Sequence, residues 1–305
     1  MARLADLPLT VPASIESVGR IAVDAAVRAA RTNGAPVVIQ EVGGYCSDLA
    51  SELVPHVRGI VEDTKQGQWR YQALERLPLP VFTIADSPLK ALEDIQVGRA
   101  IATSLEGLLR SRFYCLLSER RVLVLGYGGI GASLAEHLRR IGARVAIFDL
   151  NEVRMAAAVV NGYRVGSREE LLAWAEVIVG TSGDRSLDVH DIQYLRDGVI
   201  LASGSSKQVE IDVAGLRDHS LSTLPTDDVE TFLIAGRSVH LLNEGRPINF
   251  LEQSILGGVL DLVYSELFLC TRELARTPLA AGLYRLDKKL QQALARRWFE
   301  HYAKD

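Results

Sequence analysis

Cysteine is scarce in this sequence, and charge of neither sign is concentrated. Three of the 305 residues are cysteine. Cys46, Cys115 and Cys270 lie too far apart for a redox pair or a metal-ligand pair. We therefore expect reduced thiols, no metal site and a cytoplasmic location. The net charge of -4 and the absence of basic runs argue against a nucleic-acid partner.

Long apolar runs are also missing. The most apolar late stretch, residues 255–270, is interrupted by Asp261 and Glu266. It is too charged to span a membrane. Residues 1–14 lack the apolar core of a signal peptide. We expect no membrane partner. Because aromatic residues make up 6% of the sequence, aliphatic side chains must supply most of the core.

Short apolar runs alternate with helical patterns along most of the chain. This alternation is typical of parallel sheets covered by helices. We expect strands at residues 36–40, 57–61, 80–84, 121–125, 144–149, 177–180 and 199–202. We expect helices at residues 14–32, 46–54, 88–115, 131–141, 151–161 and 168–175. The predicted fold class is α/β, a Rossmann-type doubly wound parallel sheet with a second, smaller α/β substrate lobe and C-terminal helices.

The same pattern predicts two lobes with a cleft between them. Residues 1–95 form a reduced substrate-binding lobe, with the mostly helical residues 251–305 packing back on it. Residues 104–250 form the Rossmann domain. A leucine stripe from Leu286 to Leu294 predicts that the last helix covers either the chain's own core or a homodimer interface.

A glycine-rich turn carries the most specific signal. Gly126-Tyr127-Gly128-Gly129-Ile130-Gly131 follows an apolar strand and opens a helix. In this fingerprint Gly126 permits the tight turn, Gly128 lets the backbone approach a pyrophosphate, and Gly131 lets helix and strand pack closely. Asp149 ends the next strand, 18 residues after Gly131. A carboxylate there binds ribose hydroxyls and disfavours a 2′-phosphate, so the predicted cofactor is NAD.

Two further features of this lobe have alternative interpretations. Arg154 either reaches a 2′-phosphate or is a solvated helix residue. Thr181-Ser182-Gly183 follows a predicted strand and either meets the nicotinamide ribose or caps a helix.

Several segments together resemble the S-adenosylhomocysteine hydrolase family. In the cofactor half these are GYGGIGASLAEHLRRIGARV at 126–145, VEIDV at 209–213 and LLNEGRPIN at 241–249. Upstream and downstream they are RGIVEDTKQG at 58–67, DSPLKALED at 86–94 and LDKKL at 286–290. About residues 36–290 can be laid along that family.

The resemblance implies an enzyme that keeps NAD as a catalyst. Such an enzyme oxidises a ribose hydroxyl, eliminates the 5′ thioether, adds water and reduces the ketone again. The resemblance assigns catalytic positions to Lys90, Asp94, Asp63 and Glu41, and further cofactor contacts to Thr64 and Asn249. Lys90 would assist proton removal from the 3′-hydroxyl. Lys90 and Asp94 are one helical turn apart, a spacing that also fits a surface ion pair.

The sequence also departs from the family pattern. Lys65 and Gln66 replace two threonines of the NAD-contacting loop, and Ser206 stands where the family has a histidine. The loss of the histidine argues against adenosylhomocysteine as substrate.

We therefore predict an NAD-dependent enzyme that oxidises a hydroxyl of a nucleoside-like or sugar substrate, with or without a coupled elimination. The alternatives are a dehydrogenase or imine reductase that consumes NAD(P)H, and a non-catalytic NAD-binding partner subunit.

Overall fold

The computed structural model describes Thr10, Ser14 and residues 17–226, 228–252 and 257–303. The helices are α1 (Val18–Asn33), α2 (Ala50–Leu53), α3 (Lys65–Gln72), α4 (Lys90–Phe113), α5 (Gly129–Ile141), α6 (Glu152–Val160), α7 (Arg168–Trp174), α8 (Val213–His219), α9 (Gly258–Arg276) and α10 (Lys288–Tyr302). The strands are β1 (Val37–Glu41), β2 (Val57–Glu62), β3 (Pro80–Thr83), β4 (Arg121–Leu125), β5 (Arg144–Phe148), β6 (Val177–Gly180), β7 (Val199–Ser203), β8 (Thr223–Pro225), β9 (Val229–Ile234), β10 (Arg237–Leu242) and β11 (Gly282–Tyr284).

The chain divides into two compact units. Unit 1 comprises residues 1–90 and 261–305, and unit 2 comprises residues 91–260. Unit 1 is therefore built from both ends of the sequence.

Unit 1 contains a four-stranded parallel sheet in the order β1-β2-β3-β11. The carboxyl ends of β1 and β2 lie side by side, because Glu41 is in register with Glu62. The fourth strand comes from the C-terminal segment, which the sequence pattern predicted to be mostly helical. Leu290 and Leu294 of α10 pack against an apolar cluster of this unit that includes Leu286. The leucine stripe thus contacts the chain's own core.

Unit 2 contains a seven-stranded sheet in the order β5-β4-β6-β7-β10-β9-β8. Strands β5, β4, β6, β7 and β10 are parallel, and β9 and β8 continue the sheet as antiparallel strands. Strand β4 shows why the sequences of the parallel strands are continuous apolar runs. Val122 and Val124 face a core shared with α4 and α5, whereas Leu123 and Leu125 face a second core shared with α7 and α8.

The prediction of an α/β fold with a doubly wound parallel sheet is confirmed. Helices pack on both faces of the unit 2 sheet, as this class requires. Helices α3 and α8 and strands β8 to β11 were not predicted. No helix in the described part of the chain is both long enough and apolar enough to cross a membrane.

Candidate functional site

The glycine turn at the carboxyl end of β4 has the geometry of a phosphate cradle. Gly126 has a φ of +100°, which favours glycine strongly. A Cβ on Gly131 would lie 2.0 Å from the Gly126 carbonyl oxygen, so helix and turn touch here without a side chain between them. A Cβ on Gly128 would meet only the guanidinium of Arg154, at 4.0 Å. Gly128 therefore leaves space above the N-terminus of α5, where backbone N–H groups favour an anion.

Asp149 lies beside this turn at the end of β5. Its Oδ2 accepts hydrogen bonds from the backbone N–H of Tyr127 at 2.6 Å and from Arg154 at 3.3 Å. The side chain of Asp149 is 7% exposed and that of Arg154 is 49% exposed. Arg154 is therefore paired with the carboxylate rather than simply solvated. A carboxylate has lone pairs for further donors, so these contacts leave Asp149 able to accept ribose hydroxyls.

The turn Thr181-Ser182-Gly183 follows β6 on the same side of the sheet. Thr181 donates its hydroxyl to the Gly126 carbonyl at 2.9 Å and so ties this turn to the glycine turn. The next helical segment begins only at Val189 and is capped by Asp188. The helix-capping interpretation of this turn is therefore wrong.

A buried glutamate holds the same turn in place. Glu210 accepts the Gly183 N–H at 2.6 Å and the Ser182 hydroxyl at 2.8 Å. Its side chain is fully buried. Burial raises the pKa of Glu210, while hydrogen bonds from Ser186, Gly183 and Ser182 lower it in part. Glu210 belongs to the VEIDV segment, but nothing in the sequence alone shows that this carboxylate turns inward.

Two more buried polar residues are Ser203, at the end of β7, and Asn249, in the segment after β10. Ser203 is fully buried, and its hydroxyl has no hydrogen-bond partner among the described residues. Pro247 pairs with Ser203 in an isolated bridge, so the segment leading to Asn249 runs beside this strand end. Asn249 is 3% exposed. A buried hydroxyl without a protein partner fits a site that is completed by a polar ligand group.

Unit 1 has its own polar cluster at the carboxyl ends of β1 and β2. Glu62 is fully buried and accepts N–H groups from Gly43, Gly44 and Thr64 at 2.6–3.2 Å. Burial raises the pKa of Glu62, hydrogen bonds from Thr64 and Gly43 lower it in part, and nearby Glu41 raises it further. The Thr64 hydroxyl donates to Glu62 at 2.6 Å and caps α3 by accepting the Gly67 N–H. Thr64, a predicted cofactor contact, thus serves the structure of its own unit.

Glu41 is also engaged within unit 1. Its Oε2 accepts the Cys46 N–H at 3.1 Å, and its Oε1 accepts the hydroxyl of buried Tyr71. These contacts give Glu41 a role in fixing the loop after β1. Its assignment as a catalytic residue stays a prediction.

Lys90 and Asp63, two members of the predicted catalytic set, form an ion pair. Lys90 Nζ lies 2.9 Å from Asp63 Oδ1 and 3.0 Å from Oδ2, and each side chain is 15% exposed. Asp94, one turn along α4, packs against the start of α5, where a Cβ on Gly129 would lie 2.0 Å from its Oδ2. Lys90 therefore has an ion-pair partner in Asp63 that the spacing of Lys90 and Asp94 did not suggest.

The glycine turn, Asp149 and the partnerless Ser203 hydroxyl together define a dinucleotide-binding domain of the Rossmann type, and the residues present fit such a cofactor. Comparison with known proteins agrees. A family model described as S-adenosyl-L-homocysteine hydrolase, NAD binding domain, matches residues 100–254, just over half of the chain. The chain belongs to this family, and NAD is its cofactor.

Named relatives cover more of the chain. An adenosylhomocysteinase from Pyrobaculum aerophilum is 29% identical over 81% of this chain and 58% of that protein. One from Aeropyrum pernix is 30% identical over 79% of this chain and 59% of that protein. An S-inosyl-L-homocysteine hydrolase from Methanosarcina mazei is 27% identical over 80% of this chain and 61% of that protein. The chain therefore spans about three fifths of the length of these relatives. A solved glyoxylate reductase from Paecilomyes thermophila matches with a TM-score of 0.48 and 13% identity, covering 86% of this chain and 88% of that one.

Glu210 gives a first testable prediction. Replacing Glu210 by Gln removes one acceptor from the Gly183 N–H and Ser182 hydroxyl, so the turn loses part of its anchorage. We expect NAD affinity to fall about tenfold, the effect of losing roughly one hydrogen bond to a charged group. Isothermal titration with NAD measures this. The exposed Glu169→Gln on α7 is the control, and equal affinities of the two variants would contradict the prediction.

Proposed function

We propose that the protein is an NAD-dependent enzyme of the adenosylhomocysteinase type that oxidises a ribose hydroxyl of a nucleoside-like substrate. In this proposal unit 2 binds the cofactor and unit 1 provides the residues that recognise the sugar. The observation that carries the proposal is the largely buried pair of Lys90 and Asp63.

Such a pair suits recognition of neighbouring hydroxyls. It places an ammonium donor and a carboxylate acceptor side by side. Lys90 Nζ lies 2.9 Å from one oxygen of the Asp63 carboxylate and 3.0 Å from the other. One hydroxyl of a diol then donates to Asp63 while the other interacts with Lys90 Nζ. Because both side chains are largely shielded from water, their interactions with a bound diol are stronger than at the surface.

Lys90 also fits the proton transfer that hydroxyl oxidation requires. In its neutral form Nζ accepts the hydroxyl proton, and as an ammonium it returns the proton when the ketone is reduced. A positioned acid–base group of this kind contributes about 10²–10⁴-fold to a reaction rate. Bound NAD supplies the hydride acceptor for the oxidation.

The names of the relatives suggest which reaction to test first. They are hydrolases of adenosyl and inosyl derivatives of homocysteine. Hydrolysis of a nucleoside thioether therefore comes first, and oxidation of another nucleoside or of a sugar comes second. Ser206, which stands where the family has a histidine, favours a substrate that differs from adenosylhomocysteine.

The test begins with small molecules released from the denatured protein and identified by mass spectrometry. The NAD-loaded protein is then incubated with S-adenosylhomocysteine, S-inosylhomocysteine, adenosine, inosine and a set of free sugars. Thioether and nucleoside products are followed by chromatography, and NADH is followed by its absorbance.

Each outcome separates one function from the others. Release of homocysteine without net NADH supports the hydrolase reaction. Conversion of a nucleoside with one NADH accumulated for each turnover would instead indicate a dehydrogenase. Tight NAD binding with no conversion of any compound would contradict the proposed function and favour a non-catalytic subunit.

A further inference from the structure

Glu266 is a buried acid on the inner face of α9. It is fully buried, and Val263 and Cys270, one turn away on the same face, belong to an apolar cluster of unit 1. An ionisable group in such surroundings lowers stability unless its oxygens are hydrogen-bonded. The sequence shows this residue only as a charge that interrupts an apolar stretch.

Neutral side chains satisfy both oxygens of Glu266. Ser87 donates its hydroxyl to Oε2 at 2.6 Å, and Gln291 donates its amide to Oε1 at 2.8 Å. Burial raises the pKa of Glu266, and the hydrogen bonds from Ser87 and Gln291 lower it in part. Asp63 raises the same pKa and Lys90 lowers it, so the carboxyl lies within electrostatic range of the ion pair.

A short chain of hydrogen bonds leads from Glu266 to the start of α4. The Ser87 oxygen accepts the backbone N–H of Leu89 at 3.1 Å and a weaker contact from Gln291 at 3.3 Å. Because the oxygen accepts these donors, the single hydroxyl proton of Ser87 is directed to Glu266. Leu89 immediately precedes Lys90, the first residue of the helix.

We propose that Glu266 and Gln291 are positioning residues that fix Ser87, and through the turn at Leu89 hold Lys90 against Asp63. The functional meaning of this role rests on the proposed function, in which Lys90 is the acid–base group. The structural role itself can be tested without a substrate.

Lysine reactivity reports on the position of Lys90. The chain has six lysines, and the side chain of Lys90 is 15% exposed in its ion pair. The folded protein is treated briefly with formaldehyde and a borohydride, and methylation of each lysine is followed by mass spectrometry of peptides. The other lysines serve as references within the same sample.

Three variants distinguish an effect on the position of Lys90 from a general loss of core packing. Glu266→Leu places an apolar side chain in this apolar cluster and removes both acceptors. We expect methylation of Lys90 to accelerate about tenfold, the effect of losing roughly one ordinary hydrogen bond. Ser87→Ala is also expected to accelerate the methylation of Lys90. Glu266→Gln restores the slow rate, because the Gln291 amide can turn over and both hydrogen bonds to residue 266 can form again. The control is Glu273→Gln, on the same helix but 33% exposed and paired with Arg272.

Faster methylation confined to Lys90, with rescue by Glu266→Gln, supports the proposal. Unchanged Lys90 reactivity in a folded Glu266→Leu protein overturns it. If all lysines accelerate together, that variant has lost its fold and Ser87→Ala decides, since unchanged Lys90 reactivity there also overturns the proposal. Loss of the proposed function would show itself differently, as normal turnover in a protein without Lys90.

Discussion

Replacing Lys90 by Met lowers turnover about 10²–10⁴-fold if Lys90 moves the hydroxyl proton. NAD affinity stays unchanged, because the phosphate cradle and Asp149 belong to unit 2, whereas Lys90 pairs with Asp63 in unit 1. Steady-state kinetics on whichever compound of the proposed screen is converted, together with NAD titration, measure both quantities.

The same substitution also affects stability. It leaves Asp63 with 15% of its side chain exposed and without its ammonium partner. Breaking a fully buried pair costs about 3–5 kcal/mol, so a smaller cost is expected for this partly exposed one. The matched control is Lys288→Met on the exposed start of α10. Turnover of the Lys90 variant within threefold of the control would exclude Lys90 as the acid–base group.

Replacing Gly131 by Ala is expected to weaken NAD binding about 10- to 100-fold. The added Cβ would lie 2.0 Å from the Gly126 carbonyl oxygen and 2.8 Å from the Thr181 hydroxyl oxygen. The backbone of the turn is rigid, and Thr181 is held by its hydrogen bond to Gly126, so neither can move away without cost. Overpacking of this kind costs about 1–3 kcal/mol. Movement of α5 away from the turn would displace the N–H groups that face the phosphates.

Gly107→Ala is the control for this prediction. It lies in α4 of the same unit and has no atom within 4 Å of an added Cβ. Because alanine favours helix more than glycine does, this variant is expected to gain about 0.5–1 kcal/mol of stability. Isothermal titration and thermal unfolding of both variants provide the comparison. Normal NAD binding by Gly131→Ala would show that close packing of helix and turn is not required.

Patterns that depend on neighbouring residues predicted much of the fold. The runs at β4 and β5 are short, apolar and followed by glycine or aspartate, and such strands lie between helices in any α/β protein. Helix α3, in contrast, carries polar residues and a glycine and has no apolar stripe. Strand β11 has only three residues, Gly282–Tyr284, and is too short to show a period. This strand forms because its backbone pairs with the edge of β3.

The candidate site also has a part that the sequence predicted and a part that it did not. Glycine spacing located the phosphate cradle because backbone geometry imposes it locally. Partners distant in sequence were not recoverable. Spacing linked Lys90 to Asp94 but gave no sign of Asp63, 27 residues away, with which Lys90 also pairs. The buried states of Glu210 and Glu266 were equally hidden, because a glutamate in the sequence looks the same whether its carboxylate faces water or the core.

The discontinuous unit 1 has a consequence for synthesis on the ribosome. Its sheet pairs Pro80 with Gly282. The ribosome therefore adds about two hundred further residues after β3 before β11, the partner of β3 on that edge, has been synthesised. Unit 2 is encoded within that interval and is complete before β11 appears. Domains tend to fold as they emerge, so unit 2 is expected to fold first. The nascent chain would then acquire its cofactor-binding fold while the edge of β3 is still open to chaperones or to another unfinished chain.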